Sequence, residues 1–398
     1  MARRLLAALS LLVFLPSLPA AARPRESPNM KLVASIPFTG SGDLELFTRS
    51  LMAYMERDGT MVVLGENEQP ATRHFVIATS SPNPRIIDVT DPERPYVVAT
   101  VPCGGWDVDV RKDGMLAVLS SGSCYPATGN AVVDLANVYE PKVLRGAPGS
   151  AHTLRLHPDG RYLYLSGGDI YDLVDPSTPV SVGSFAQPHA GLLHTDLSFS
   201  PDGDRMYSAT QPVYVYDTSD PANPRVITRI LVPGMVIVHD TLPTPDGRFL
   251  FISEETVGGV CPHGAVSVWD MLVEASPVYV GQVWAGAGPV TDRENDEPAV
   301  GNAGLGFCSS HVMTMDPGGR SFSIGWYAGG TRVFDFGGLY TAPAAAGWGK
   351  YGVGVVEKGF VKPSGADTSA AKQYAALPGY VFSADYALGF YVSKFVTP

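Results

Sequence analysis

Positive charge is scarce in this chain, and so are cysteines and long apolar stretches. Lysine and arginine total 28 against 39 aspartates and glutamates, and the formal net charge is -11. An acidic surface without basic clusters argues against nucleic acid or an anionic membrane as a partner. Beyond the N-terminus no apolar stretch approaches the roughly 20 residues that a spanning helix requires. We therefore expect no nucleic-acid partner and no membrane span.

Common catalytic signatures are also missing. The sequence has no G-x-S-x-G elbow, no phosphate-binding loop and no dinucleotide fingerprint. Ser310 precedes His311, but adjacency in sequence says nothing about a nucleophile's geometry. Motifs alone therefore do not decide whether the protein is an enzyme.

Residues 1–22 have the pattern of a secretory signal peptide. Arg3 and Arg4 supply a positive start, residues 5–18 are apolar, and residues 20–22 are the small alanines of a cleavage site. An N-terminal anchor helix is the alternative, which the short apolar run disfavours. We predict that the mature protein is secreted or periplasmic.

The mature chain is rich in turn formers and contains an internal repeat. The full sequence has 43 glycines and 34 prolines. Tight turns between apolar strands recur seven times, at Asp58, Asp113, Asp159, Asp202, Asp246, Gly318 and Pro378. A strand-rich repeat of about 40–50 residues is typical of β-propeller blades. We predict an all-β, seven-bladed propeller of four-stranded antiparallel blades, forming one domain over residues 30–398.

The ends and the irregular segments complete this prediction. Residues 30–38 form a strand without partners before it, and the chain ends on a third strand, so the N-terminal strand should complete the last blade. Insertions are expected at about 285–309 and 340–368. Acidic residues 292–297 are a weak calcium candidate and more typical of a solvated loop. The first copy is degenerate: blade 1 could use either the hairpin at Asp58 or the strand that starts at His74, and the sequence does not decide between them.

Several repeats resemble those of the LVIVD-repeat family of secreted bacterial propellers. The resemblance rests on IIDVTDP (86–92), HDTLPTPDGRFLFISEE (239–255), SHVMTMDPGGRSFSIGWYAGGTRVFDF (310–336) and YVFSADYALGFYVSKF (380–395). It covers most of residues 30–398. It implies the propeller fold and little about chemistry.

Histidines recur where the inner strands begin. His152, His239 and His311 hold equivalent places before their turns, Trp106 holds that place in blade 2, and His194 is one step off. The inner strands line the channel, so these imidazoles should converge on one mouth, where they would suit copper, zinc or iron. The alternative is a set of hydrogen-bonded histidines that pack the channel neck.

Carboxylates that follow the second strands should reach the same mouth. The candidates are Glu66, Asp169, Glu254, Glu255 and Asp385, with Asp240 beside His239. Glu254 is the preferred fifth member of the metal site, as a ligand, an orienting group or a general base. Glu255 is expected to be solvated.

The four cysteines, Cys103, Cys124, Cys261 and Cys308, also fall on this face. An even number in an oxidising compartment favours two disulfides. Three pairings exist, and the blade topology favours Cys103–Cys124 and Cys261–Cys308.

The sequence predicts an exported, monomeric propeller with a His-lined pocket that binds a metal, a small molecule or a protein partner. The alternative is a metal-dependent oxidase or hydrolase, distantly like the selenium-binding-type methanethiol oxidases, which are also propellers. A third possibility is a scaffold whose loops dock a partner protein.

Overall fold

The computed structural model describes residues 24–80, 82–122, 129–147, 151–185, 196–235, 237–256, 264–286, 308–341 and 354–396. Seven antiparallel sheets follow one another along the chain, and each is one blade of a β-propeller. The inner strands of neighbouring blades contact one another all round the ring, and the last returns to the first. The predicted seven-bladed propeller of four-stranded blades is confirmed.

The first half of the ring contains blades 1 to 4. Two strands precede it: β1 (Arg25–Glu26) and β2 (Met30–Pro37). Blade 1 and its hairpin contain β3 (Leu44–Leu51), β4 (Ala53–Met55), β5 (Met61–Val63), β6 (Ala71–Ala78), β7 (Arg85–Asp88) and β8 (Tyr96–Thr100). Blade 2 contains β9 (Val108–Val110), β10 (Leu116–Gly122), β11 (Gly129–Asp134) and β12 (Lys142–Ala147). Blade 3 contains β13 (Leu154–Leu156), β14 (Tyr162–Leu165), β15 (Asp169–Asp172) and β16 (Val180–Ser184). Blade 4 contains β17 (Leu197–Phe199), β18 (Arg205–Ser208), β19 (Val213–Asp217) and β20 (Arg225–Ile230).

The second half contains blades 5 to 7. Blade 5 contains β21 (Val238–Pro243), β22 (Phe249–Glu254), β23 (Val266–Asp270) and β24 (Val278–Val283). Blade 6 contains β25 (Met313–Met315), β26 (Ser321–Gly325), β27 (Thr331–Asp335) and β28 (Val356–Lys362). Blade 7 is built on β29 (Thr368–Gln373), β30 (Tyr380–Asp385) and β31 (Gly389–Phe395).

Turn chemistry explains why the blades repeat. Gly160, Gly203 and Gly247, in the turns after three inner strands, have φ of +75°, +84° and +67°, values that glycine adopts without steric cost. In the Asp-Pro-x-x-Pro segments the aspartate closes the turn, and Asp175 Oδ1 accepts the Ser177 N–H at 2.9 Å. Such local hydrogen bonds replace strand pairing where the chain must reverse.

The N-terminal strands close the ring. β2 pairs antiparallel with β31 and becomes the outer strand of blade 7, the place that the sequence predicts for it. β1 adds a short fifth strand to blade 6 by pairing with β28. Both pairings cover backbone edges that would otherwise stay exposed.

Blade 1 differs from the predicted copy. Its inner strand β3 pairs with β6, from Leu44 opposite Ala78 to Leu51 opposite Ala71, while the hairpin around Asp58 is a separate two-stranded sheet, β4–β5. The sequence leaves the choice between this hairpin and the strand at His74 open, and the structure places the His74 strand, β6, in blade 1. The reason is burial, because Val63 of β5 is 75% exposed whereas Phe75 of β6 is fully buried.

The predicted insertion at about 340–368 is also too long. Its residues 356–362 are the regular strand β28, which pairs with β27. Glycine and alanine are concentrated in residues 342–354, whereas β28 itself contains one glycine, Gly359. Most of the 285–309 insertion, including residues 292–297, lies outside the described residues.

Helix is almost absent from the described part of the chain, where one single-turn 3-10 helix, Gly337–Tyr340, follows β27. No helix there has the length and apolar composition needed to cross a membrane.

Candidate metal centre

Two histidines from neighbouring blades meet at one mouth of the channel. His239 occupies a β-bulge in β21, and His311 lies just before β25. Their ring centroids are 3.6 Å apart, and the residues are only 2% and 5% exposed. A bulge re-aims the side chain of its extra residue, and here it directs His239 toward blade 6.

Asp240 holds the two inner strands in this register. Its Oδ2 accepts the Met313 N–H of β25 at 2.7 Å, and its Oδ1 accepts the Thr241 N–H at 2.6 Å. A carboxylate of blade 5 is thus bonded to the backbone of blade 6. The sequence predicts Asp240 as a candidate ligand. In the structure its carboxylate instead connects β21, which carries His239, to β25, which follows His311.

Glu255 brings a carboxylate to both imidazoles. Its Oε2 lies 3.9 Å from His239 Nε2, and its Oε1 lies 3.8 Å from His311 Nε2. One donor atom from each of the three residues lies within 4.8 Å of the other two. Two nitrogens and one carboxylate oxygen are therefore arranged around one small volume.

The expectation that Glu255 is solvated is wrong, and Glu254 is outside this three-residue cluster. Glu254 is the last residue of β22, whereas Glu255 follows the strand and donates its N–H to Ile237 O at 2.9 Å. Neighbouring residues of an extended chain point to opposite sides. Only one of two consecutive glutamates can therefore face the histidines.

A hydrogen bond prepares His311 as a nitrogen donor, and burial keeps both imidazoles neutral. His311 Nδ1 lies 2.8 Å from Ser369 O, a partner that requires an N–H there and leaves the lone pair on Nε2. Ser369 is itself the extra residue of a bulge in β29. Buried His239 Nδ1 has no hydrogen-bond partner among the described residues. Burial lowers the pKa of both histidines, so both are neutral near pH 7.

Tyr327 supports the carboxylate, and the sequence analysis does not single it out. Its Oη donates to Glu255 Oε1 at 2.6 Å, and its ring centroid lies 4.6 Å from that of His311. Burial, with Glu255 nearby, raises the pKa of this phenol well above its usual value. Tyr327 has φ of +41°, a conformation that costs an aromatic residue about 1–3 kcal/mol and recurs at functional sites.

The backbone of Tyr327 is held from blade 7. Its N–H donates to Thr368 O at 2.7 Å, and the Thr368 N–H donates back to Tyr327 O at 3.0 Å. This pair of bonds offsets the cost of the left-handed conformation. The only sequence signal for the turn is Gly329-Gly330, which leaves the conformation of Tyr327 itself unpredicted.

The other predicted members of the site have different outcomes. His152 is exposed, and its ring centroid lies 6.0 Å from that of His239, so it is a neighbour of the cluster. His194 lies outside the described residues. Asp385 accepts the Asp367 N–H at 2.9 Å and the Ala387 N–H at 2.9 Å, which gives it a structural role in blade 7.

The described cysteines are not free thiols. Cys103 and Cys308 are each disulfide-bonded, while Cys124 and Cys261 lie outside the described residues. The pairing therefore stays a prediction. Near Cys308, Ser309 Oγ accepts the Thr256 N–H at 3.1 Å, and Ser310 Oγ donates to Ala265 O at 2.8 Å. Both hydroxyls thus bind backbone groups around the strand that precedes Glu255.

Deeper in the channel a belt of buried charges crosses the ring. Arg155 of β13 contacts Asp107 at 2.7 Å and Asp196 at 2.9 Å. On the opposite side Lys372 contacts Asp43 at 3.2 Å and Glu45 at 2.8 Å. Desolvation raises the pKa of Asp43 to about 8, although Lys372 acts in the opposite direction. The belt ties inner strands together across the channel.

The opposite mouth opens into a cavity of about 320 Å³. Its walls include the far ends of inner strands, with Leu156, Phe199, Met315 and Tyr374. Arg155 and Lys372 also line it, but their charges already face carboxylates of the belt. The two mouths therefore differ, and only one brings imidazoles and a carboxylate together among the described residues.

Comparisons with known proteins support the fold alone. No family model and no curated protein matches the chain. Solved structures similar to it include hydrazine synthase of Kuenenia stuttgartiensis, 15% identical over 88% of this chain and 96% of that one, with a TM-score of 0.57. The β-propeller domain of Cps50 (Swd1) from Myceliophteria thermophila is 11% identical over 92% of this chain and 100% of that one, with a TM-score of 0.53. What these structures share with this chain is the β-propeller fold.

Proposed function

We propose that this protein is an exported, LVIVD-type propeller that binds one transition-metal ion between His239, Glu255 and His311. The observation that carries the proposal is the clustering of three donor atoms within 4.8 Å, at the end of a channel. Zinc lies about 2.0–2.2 Å from nitrogen and oxygen ligands, so tetrahedral ligand atoms are about 3.4 Å apart. The separations of 3.8 and 3.9 Å require only small side-chain movements.

The donor set indicates which metals fit. Two imidazoles and one carboxylate suit zinc, iron(II) or copper, whereas calcium and magnesium prefer oxygen ligands throughout. Three protein ligands leave a coordination position open, as in catalytic rather than structural zinc sites. Bound metal would supply Lewis-acid or redox chemistry to a small molecule at this mouth.

The hydrogen bonds around the three donor residues are a further argument for a metal site. Ser369 O orients the His311 ring, an outer contact typical of metal-binding histidines. Tyr327 fixes the Glu255 carboxylate in the same way. The neutral imidazoles need not lose a proton before they bind a cation. Export rests on residues 1–22, and the family on the repeats quoted above.

Metal titration tests the proposal. Chelator-treated protein titrated with Zn²⁺ in a calorimeter should bind one equivalent. Glu255→Gln should weaken the binding by at least about tenfold, because a ligand charge is removed. Glu254→Gln is the matched control from the adjacent position and should bind nearly as tightly as the unchanged protein. No saturable binding, or equal losses in the two variants, would refute the site.

A further inference from the structure

Aromatic rings lead from His311 to the protein surface. Tyr327 lies 4.6 Å from His311, ring centroid to ring centroid, and stacks at 6.3 Å and 15° on Tyr386. Tyr386 in turn lies 6.4 Å from Trp106. Neighbouring ring centroids along this series are thus 4.6–6.4 Å apart. The aromatic arc, as we call Tyr327, Tyr386 and Trp106, follows the rim of the channel mouth.

The arc is built from residues at strand ends in three different blades. Tyr327 follows β26, Tyr386 follows β30, and Trp106 precedes β9. Blade 1 lies between the last two and contributes Gly42, where a Cβ would stand 2.9 Å from Trp106 O and 3.1 Å from the Tyr386 hydroxyl oxygen. The missing side chain lets residues of blades 7 and 2 meet across blade 1.

The two ends of the arc have different environments. Tyr327 is 2% exposed, whereas Trp106 is 55% exposed. Tyr327 Oη donates to the Glu255 carboxylate at 2.6 Å, so a proton acceptor is already in place. A phenol that loses an electron must also lose its proton, because the phenol radical cation is a very strong acid. One end can therefore be oxidised with a local proton transfer, and the other can meet an oxidant.

We propose that the aromatic arc conducts one electron from Tyr327 to an oxidised transition-metal complex that meets Trp106 at the surface and acts as a one-electron oxidant. The oxidant takes one electron from the Trp106 indole and is reduced. An electron from Tyr327, passed through the Tyr386 ring, restores Trp106. The Tyr327 hydroxyl proton moves to Glu255, which leaves a neutral tyrosyl radical beside a protonated carboxyl group. No metal ion at His239, Glu255 and His311 takes part in this step.

Several features favour this role over packing alone. Packing explains buried rings, but it does not explain an indole that is more than half exposed at the end of the stack. It also does not require a tyrosine at φ of +41° whose hydroxyl is bonded to a carboxylate. The arc ends at a ring in contact with His311, so it also joins the surface to the proposed metal centre.

Photo-oxidation of the chelator-treated full chain tests the proposal. A ruthenium(II) polypyridyl complex with a cobalt(III) ammine acceptor generates the oxidant in light, and frozen samples are examined by electron paramagnetic resonance. We expect a tyrosyl component that is lost in Tyr327→Phe. The same component should be lost in Trp106→Phe and in Gly42→Ala, although Tyr327 is still present in both.

Tyr340→Phe is the matched control, because Tyr340 is exposed, bonds Asp246 and lies outside the arc. The Tyr340→Phe variant should lose only the signal that comes from direct oxidation of Tyr340, and it should retain the Tyr327 component. Retention of that component in Trp106→Phe, or its absence from the unchanged protein, would overturn the proposal. The protein contains no added metal in this test, so its result is independent of whether Zn²⁺ binds.

Discussion

His311→Ala is expected to lower the affinity for Zn²⁺ by at least about 100-fold, which corresponds to about 2.7 kcal/mol of binding free energy. The reason is that His311 is the imidazole whose ring is already fixed, by Ser369 O at 2.8 Å, with Nε2 directed at Glu255. Loss of an outer contact alone costs about 10–100-fold, and loss of the ligand should cost more. Calorimetric titration of the chelator-treated variant measures the change.

His74→Ala is the control for this experiment. His74 belongs to blade 1, and its Nδ1 lies 3.0 Å from the Thr48 hydroxyl, far from the cluster along the ring. Its replacement should leave Zn²⁺ affinity within about twofold. Circular dichroism of both variants should show an unchanged sheet fold. Equal affinities of His311→Ala and His74→Ala would remove His311 from the site.

Arg155→Met should lower the free energy of unfolding by about 3–5 kcal/mol, since it leaves two buried carboxylates without their cation. Arg155 is the only bridge between Asp107 and Asp196 that the described residues provide. Methionine keeps most of the apolar stem, so the loss is electrostatic. Urea denaturation followed by tryptophan fluorescence measures it.

The loss should also depend on pH, with a sign that follows from burial. Desolvation already raises the pKa of Asp196 well above its usual value, and removal of Arg155 raises it further. A carboxyl group whose folded pKa is raised stabilises the fold below its unfolded pKa, and that contribution is lost as pH rises through the folded pKa. The destabilisation should therefore be larger at pH 8 than at pH 5.

Arg161→Met provides the comparison within the same blade. Arg161 pairs with Asp172, but its side chain is 50% exposed, and such surface pairs contribute about 0–1 kcal/mol. Equal losses in the free energy of unfolding for the two arginine variants would contradict the proposed role of the belt. A larger loss for Arg155→Met at pH 5 than at pH 8 would contradict it too.

Local signals made the fold predictable. Each blade closes its own turns, with glycines such as Gly160 in the left-handed region and aspartates such as Asp175 bonded to nearby amides. These signals act over a few residues and repeat along the chain. The choice of hairpin in blade 1 stayed open because the Asp58 hairpin carries the same turn signal, while the burial that decides between the hairpins depends on neighbouring blades.

The site was only partly predictable. Repeat symmetry brought His239 and His311 to one mouth, but the choice between Glu254 and Glu255 depends on where β22 ends, and it was wrong. The bulge at His239 leaves no mark in the sequence. The charges of the belt did have a sequence signal, since Arg155 and Glu45 interrupt apolar inner strands.

The account depends most on a metal ion bound where the two imidazoles and Glu255 meet. Anomalous X-ray diffraction from crystals grown with Zn²⁺ and collected on both sides of the zinc absorption edge locates such an ion directly. The account predicts one strong peak, within about 2.0–2.2 Å of Nε2 of His239, Nε2 of His311 and an oxygen of Glu255. A zinc peak elsewhere with none at this mouth, from protein whose crystals contain zinc, would contradict it.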